Sequence, residues 1–164
     1  MRAPEPLITH KTQDLASLLI PIEGELLLVP NVSVAEIVPL GRVEQVSDAP
    51  DWLLGNYRWR ERSVPLLSFE TINGGIRPSA GTQARVAVFN STGVSDELPF
   101  VAILAQGLPR LARVNADELQ ERDGIENRPF DLMPVSWAGE QAVIPDISAL
   151  EQAVQDFLNG SHGN

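Results

Sequence analysis

Short runs rich in Val, Ile and Leu recur along the whole chain, each cut off after a few residues by Gly, Pro or a charged side chain. That rhythm predicts many short strands joined by tight turns. Residues 17–22 and 25–29 form the clearest pair, with Glu23 and Gly24 between them and the glycine able to supply the positive φ of a two-residue hairpin turn. Pro21 lacks an N–H, which predicts an edge position for the first strand. Further strands are predicted at 36–40, 43–46, 57–61, 64–69, 85–90, 100–105, 109–114, 132–137 and 141–144. Roughly ten or eleven short strands is the pattern of small barrels or sandwiches, so the predicted fold class is all-β.

Helix is scarce. Residues 51–55 follow Ala49 and Pro50 and end on Gly55, which predicts a single turn closed by a left-handed glycine cap. Asn115 is placed to cap a second short turn with acids in it. Only 146–158 has the spacing of a full helix: Asp146 or Ser148 caps it, and Ile147, Leu150, Val154, Phe157 and Leu158 form an apolar stripe. The polar, turn-rich stretch 74–82 divides the strands into two comparable sets, which predicts lobes at about 15–77 and 82–145. Flexible ends are expected at 1–14 and 159–164.

At 164 residues the chain has the size of one domain and can bury roughly 70% of its unfolded surface. It has no Cys, which excludes disulfides, thiolate metal sites and cysteine nucleophiles and points to a reducing compartment, the cytoplasm. No apolar run reaches signal-peptide or membrane-spanning length, so no direct membrane insertion is expected. Twenty-two acids against twelve bases give a net charge of -10, a field that repels nucleic acid and favours protein partners.

Catalytic and cofactor signals are missing from the pattern. The two histidines, His10 and His162, lie in the poorly patterned ends, where ordering one beside a nucleophile is difficult. There is no Gly-rich phosphate loop and no calcium-loop spacing, and the acid-rich stretch 117–131 reads as surface loop. The expectation is therefore no enzyme, no catalytic residue, no cofactor and no metal.

The least ordinary segment is 57–62, Tyr-Arg-Trp-Arg-Glu-Arg. Strand alternation would put Arg58, Arg60 and Arg62 on one side and Tyr57, Trp59 and Glu61 on the other, with Trp59 filling the core. Three like charges on one face call for carboxylates nearby, in the fold or on a partner.

Four blocks, Val34 to Ile37, Pro50 to Gly55, Arg60 with Val64 to Leu67, and residues 102–108, follow one another in an order that resembles the CheW family, adaptors that couple bacterial chemoreceptors to the histidine kinase CheA. Val34, Ala35, Glu36 and Ile37 are similar to the family's Val-x-Glu-Ile. The stretch from Pro50 through Trp52 to Gly55 is similar to its Pro-apolar-Gly turn. Arg60 followed by Val64, Pro65, Leu66 and Leu67 resembles its Asn-Leu-Arg-Gly and Val-Pro block. Residues 102–108 resemble the strand and Asp-Gly-Val turn of the family's second half. The resemblance covers about 15–158. It implies two five-stranded SH3-like barrels with a C-terminal helix, no catalysis, and partners in a CheA-type histidine kinase and a chemoreceptor's cytoplasmic tip. It also implies a partner-binding surface of Val34, Glu36, Gly55, Arg58, Arg60 and Arg62, with Glu36 and Arg60 forming an exposed ion pair and Val34 beside it on the same strand face.

Some positions depart from the family pattern. Arg58 stands for Asn, Glu61 for the Gly after the motif Arg, Ser68 for the Asp after Val-Pro, and Gln106 for the Asp before the turn Gly. They suggest a divergent paralogue, with pilus-driven twitching motility as a candidate output. The rival class is a small-barrel binder of single-stranded nucleic acid that stacks bases on Tyr57 to Arg62; an unrecognised hydrolase is a third.

Overall fold

The central strands take their places from which of their faces must be dry. The structure is a computed structural model and describes residues 14–126 and 128–162. Twelve strands are present among the described residues: β1 (Leu15–Ile22), β2 (Glu25–Pro30), β3 (Val34–Pro39), β4 (Val43–Glu44), β5 (Leu53–Trp59), β6 (Arg62–Leu67), β7 (Arg85–Asn90), β8 (Phe100–Ala105), β9 (Arg110–Val114), β10 (Leu119–Glu121), β11 (Asp131–Trp137) and β12 (Glu140–Pro145). The helices are α1 (Phe69–Ile72) and α2 (Ile147–His162).

The strands form two six-stranded sheets, where five strands in each were expected. One runs β10-β11-β12-β2-β1-β9 and the other β3-β7-β8-β6-β5-β4. All pairings are antiparallel except β12 with β2 and β6 with β8. The lobes are therefore not the two halves of the chain. The N-terminal hairpin β1–β2 joins β9 to β12, while β7 and β8, from beyond the 74–82 break, complete the sheet begun by β3 to β6. The expected division at 74–82 is corrected accordingly: that stretch is a loop between α1 and β7 and separates no sheets.

Three apolar clusters explain the sequence pattern. Leu19, Leu28, Ala112, Val114, Val135 and Ala142 fill one lobe, and Val64, Leu66, Val86, Val88, Ala102 and Leu104 fill the other. Between the lobes lies a third, in which Leu18, Ile20, Ile22, Leu27 and Val29 meet Leu67, Phe69, Ala87, Phe89, Val101 and Ile103. Strands β1, β2, β7 and β8 thus bury both faces, and their sequences are near-continuous apolar runs for that reason.

Pro21 is not on an edge strand, because β1 lies between β2 and β9. Pairing with β9 covers only Leu15 to Leu19, so the residue without an N–H sits where β1 has outrun its neighbour. The turn at Glu23 and Gly24 forms as expected, with Gly24 at φ 80° and Ile22 facing Glu25. The expected helical turn at 51–55 does not form. Asp51 and Trp52 make a turn, and β5 starts at Leu53.

α2 follows its stripe. The Asp146 carboxylate accepts from Ala149 N at 3.1 Å, and Leu150 and Val154 are buried in the central cluster with Ile147, Phe157 and Leu158 against it. The helix continues to His162, so 159–162 is not a tail. On the same helix Glu151 is fully buried, accepting from Ser91 Oγ at 3.1 Å and Thr92 N at 2.9 Å. His10, the rest of 1–13 and residues 163–164 lie outside the described residues, whereas Asp14 accepts from Asn115 Nδ2 at 3.2 Å.

Candidate functional site

The β5–β6 hairpin sets the geometry of the arginine-rich segment. Trp59 faces Arg62 across the pair, which leaves Arg60 and Glu61 as the two turn residues. Both have positive φ, 48° and 63°, as a type I′ turn requires. The expectation of one strand over 57–61 with three arginines on one face is thus corrected. Arg58 lies opposite Ser63, Arg62 opposite Trp59 on the other face, and Arg60 on the turn between them. The repulsion foreseen among three cations is relieved by distributing them.

Glu36 and Arg60 do pair. Glu36 Oε1 accepts from Arg60 Nη2 at 3.2 Å and from Trp59 Nε1 at 2.8 Å. The Arg60 guanidinium also lies 4.7 Å from the centroid of the Trp59 ring. Close by, Tyr57 Oη donates to Pro39 O at 2.8 Å. Strands β3 and β5 are not neighbours in the sheet order, so these side chains draw distant parts of one sheet together and curl it on itself. Glu36 is a clasp as well as a surface charge.

That double role separates the two partners energetically. The ion pair is exposed, with side-chain exposures of 65% for Arg60 and 40% for Glu36, and such a pair is worth only about 0–1 kcal/mol. Arg60→Ala should leave the unfolding midpoint nearly unchanged. Glu36→Ala also strands the indole N–H of buried Trp59, at a cost of roughly 1–3 kcal/mol. Glu36→Gln keeps an acceptor and should recover most of that loss. Urea titration of the three variants distinguishes the two contributions, and equal losses for Arg60→Ala and Glu36→Ala would contradict this division.

The Tyr57 phenol is raised above its ordinary value, first because burial disfavours the phenolate and then because the Glu36 carboxylate is near. It is the only tyrosine, so the near-ultraviolet phenolate absorbance reports it alone. Folded protein should ionise at higher pH than urea-unfolded protein, and Glu36→Gln should narrow the difference. The folded phenol holds its proton more tightly than the unfolded one. Its contribution to stability is therefore intact below about pH 10 and is lost as pH rises through the folded value.

Two aromatics extend the cluster. Trp59 and Phe100 meet edge to face at 4.8 Å, and the Arg62 guanidinium lies 5.3 Å from the Phe100 centroid. Sequence reasoning placed Trp59 in the core but missed Phe100. Nothing local marks it, since β8 reaches Trp59 only through the folded sheet.

The other expected site residues are placed differently. Val34 does not share a face with Glu36. A β-bulge lies between them, so Val34 packs on the central cluster while Ala35 and Val38 turn toward the lobe interior. Gly55 is buried against β4, with φ 143°, and is no helix cap. Arg58 is exposed. The base-stacking ribbon of the nucleic-acid reading is not available, because Tyr57 and Trp59 are only 7% and 5% exposed.

The acid-rich stretch carries an internal network. Asp131 holds Arg128 through two nitrogens, at 2.7 and 3.1 Å, and Arg128 reaches Glu25 at 2.9 Å. Asn73, past α1, donates to Asp131 at 2.9 Å and accepts from Phe130 N at 2.9 Å. Burial alone would lower the Arg128 value, but the hydrogen bond to Asp131 and the charge of Glu25 outweigh it and raise it. These contacts join the two lobes. Among the described residues no group of three His, Cys, Asp or Glu side chains is placed to hold a metal ion, and no helix is long and apolar enough to cross a membrane.

Comparison with known proteins bears on the same residues. A search of curated proteins finds no match. Among solved structures, the scaffolding protein TtCheW from Thermoanaerobacter tengcongensis is similar over 81% of this chain and 89% of its own, with a TM-score of 0.69 and 10% identity, a likeness of fold. The family model of the CheW-like domain matches residues 16–155, which takes in both lobes, the Glu36–Arg60 clasp and most of α2. The chain belongs to the CheW-like domain family.

Proposed function

We propose that this protein is a non-catalytic adaptor of the cytoplasm that couples chemoreceptor tips to a CheA-type histidine kinase within a chemosensory array. The observation that carries this reading is the Glu36–Arg60 pair, presented at the surface of a CheW-like domain on a rigid hairpin. Adaptors work by contact, and a charge pair fixed by a buried indole offers a partner a defined geometry at small entropic cost. Glu36 and Arg60 meet the partner, Arg58 and Arg62 flank them, and Val34 and Gly55 act by holding the strands beneath.

The test is affinity purification from the native host. Histidine kinase and receptor should both be captured, and Arg60→Ala should weaken capture by about tenfold or more while leaving the midpoint unchanged. Capture of neither, or capture that Arg60→Ala and Arg60→Glu leave intact, would overturn the proposal.

A further inference from the structure

Arg62 stands beside the clasp and takes no part in it. Its guanidinium rests on Phe100 at 5.3 Å, and Phe100 is itself held by the edge-to-face contact with Trp59. The residue is exposed and forms no ion pair with any described residue, whereas Arg60, Arg110 and Arg128 each have a carboxylate. Glu97 lines the same recess and accepts from Gln155 Nε2 at 3.3 Å. Among the described residues Arg62 is thus a placed cation without an ion-pair partner, in a protein of net charge -10.

Stacking on a ring fixes the plane of a guanidinium and leaves its edge donors free, the arrangement that suits bidentate pairing with a carboxylate. Beside Arg62 is a recess of about 40 Å³, lined by Ser63, Pro65, Leu98, Pro99 and Phe100, large enough for a methyl-sized group. We infer that Arg62 and this recess form an anchor for an acidic side chain of a protein partner, with a small apolar residue of the same segment seated alongside. The inference rests on the adaptor reading in that the partner is a protein meeting this surface. A nucleic-acid strand fits less well, because the rings of Tyr57 and Trp59 are buried and offer its bases no stacking surface.

The probe is a blocked octapeptide of alternating Glu and Ala, titrated into isotope-labelled full-length protein and followed at the Arg62 Nε–H and Trp59 indole resonances. Saturable shifts are expected, with none from the Gln–Ala counterpart. Arg62→Lys should weaken binding by about tenfold or more, because lysine offers neither the fork nor the stack, and Arg113→Lys, at an exposed arginine of β9, should change it little. The spectra themselves verify that each variant is folded. Absence of saturable shifts, equal binding of the Gln–Ala peptide, undiminished binding by Arg62→Lys, or tighter binding of oligothymidylate would each overturn the inference. Arg62→Lys leaves the Glu36–Arg60 pair in place. Failure of kinase and receptor capture with a positive peptide titration therefore removes the adaptor reading alone, and the reverse outcome removes the anchor alone.

Discussion

Gly55→Ala is expected to lower the unfolding midpoint by on the order of 5–20 °C, since a chain of this size loses about 2–4 °C per kcal/mol. A Cβ at this position would lie 2.4 Å from Glu44 O and 2.6 Å from Val43 Cγ1. The carbonyl cannot swing aside freely, because Val43 and Glu44 are the residues that pair β4 with β5. The backbone also sits at φ 143°, where side-chain-bearing residues are strained by about 1–3 kcal/mol. Overpacking adds roughly 1–3 kcal/mol. Gly24→Ala is the natural comparison, because that glycine has positive φ but an alanine Cβ there would meet nothing within 4 Å, so it should lose only the conformational part. Partner affinity of the folded fraction should be unchanged for Gly55→Ala, since the contact faces β4. A loss no larger than that of Gly24→Ala would show that β4 does not press on Gly55 in solution.

The second large effect is expected at Glu151. This carboxylate is fully buried on α2 and is held by Ser91 Oγ and Thr92 N, in the loop after β7. Hydrogen bonds to a charged group contribute about 1.5–3 kcal/mol each, and a buried donor left alone costs about 1–3 kcal/mol. Glu151→Leu preserves volume but abandons both donors, so a loss of roughly 3–5 kcal/mol in urea unfolding is expected. Glu151→Gln keeps an acceptor for Thr92 N and should lose less. Hydrogen exchange at the Thr92 amide should accelerate in the leucine variant relative to its neighbours. If both variants unfold with equal loss and Thr92 stays protected, the loop is held by packing and the bond is incidental.

Which parts of this molecule could be read from its sequence follows from the range of the forces involved. Strands β7 and β8 are legible residue by residue, because burial on both faces writes an unbroken apolar run. The α2 stripe is legible because its period is local, and so is the Asn115 cap, whose side chain accepts from Asp117 N at 2.9 Å. The turn at Arg60 and Glu61 is not. Type I′ turns are announced by Asn and Gly, and here two charged residues occupy the positive-φ positions, with Arg60 held by Glu36 and Trp59. The strand exchange between halves is equally silent, since β12 beside β2 is a pairing between segments more than a hundred residues apart. The Glu36–Arg60 pair is reached through family resemblance and the need of a cation for a carboxylate. Its third member, the Trp59 indole, emerges only with the curl of the sheet.

The exchange of strands between the two halves also fixes when this protein can be finished. Its first hairpin is synthesised more than a hundred residues before β12, the strand that lies beside it. At ordinary synthesis rates of about 5–20 residues per second, the β2 edge waits on the order of ten seconds for β12, while β1 can pair with β9 sooner. The lobe of β3 to β8 lacks this handicap, because all its strands emerge in one block. Folding on the ribosome would thus be ordered, the β3 to β8 sheet first and the strands on either side of that block afterwards, and any nascent chain truncated before Glu140 would carry a hairpin whose β2 edge is unpaired.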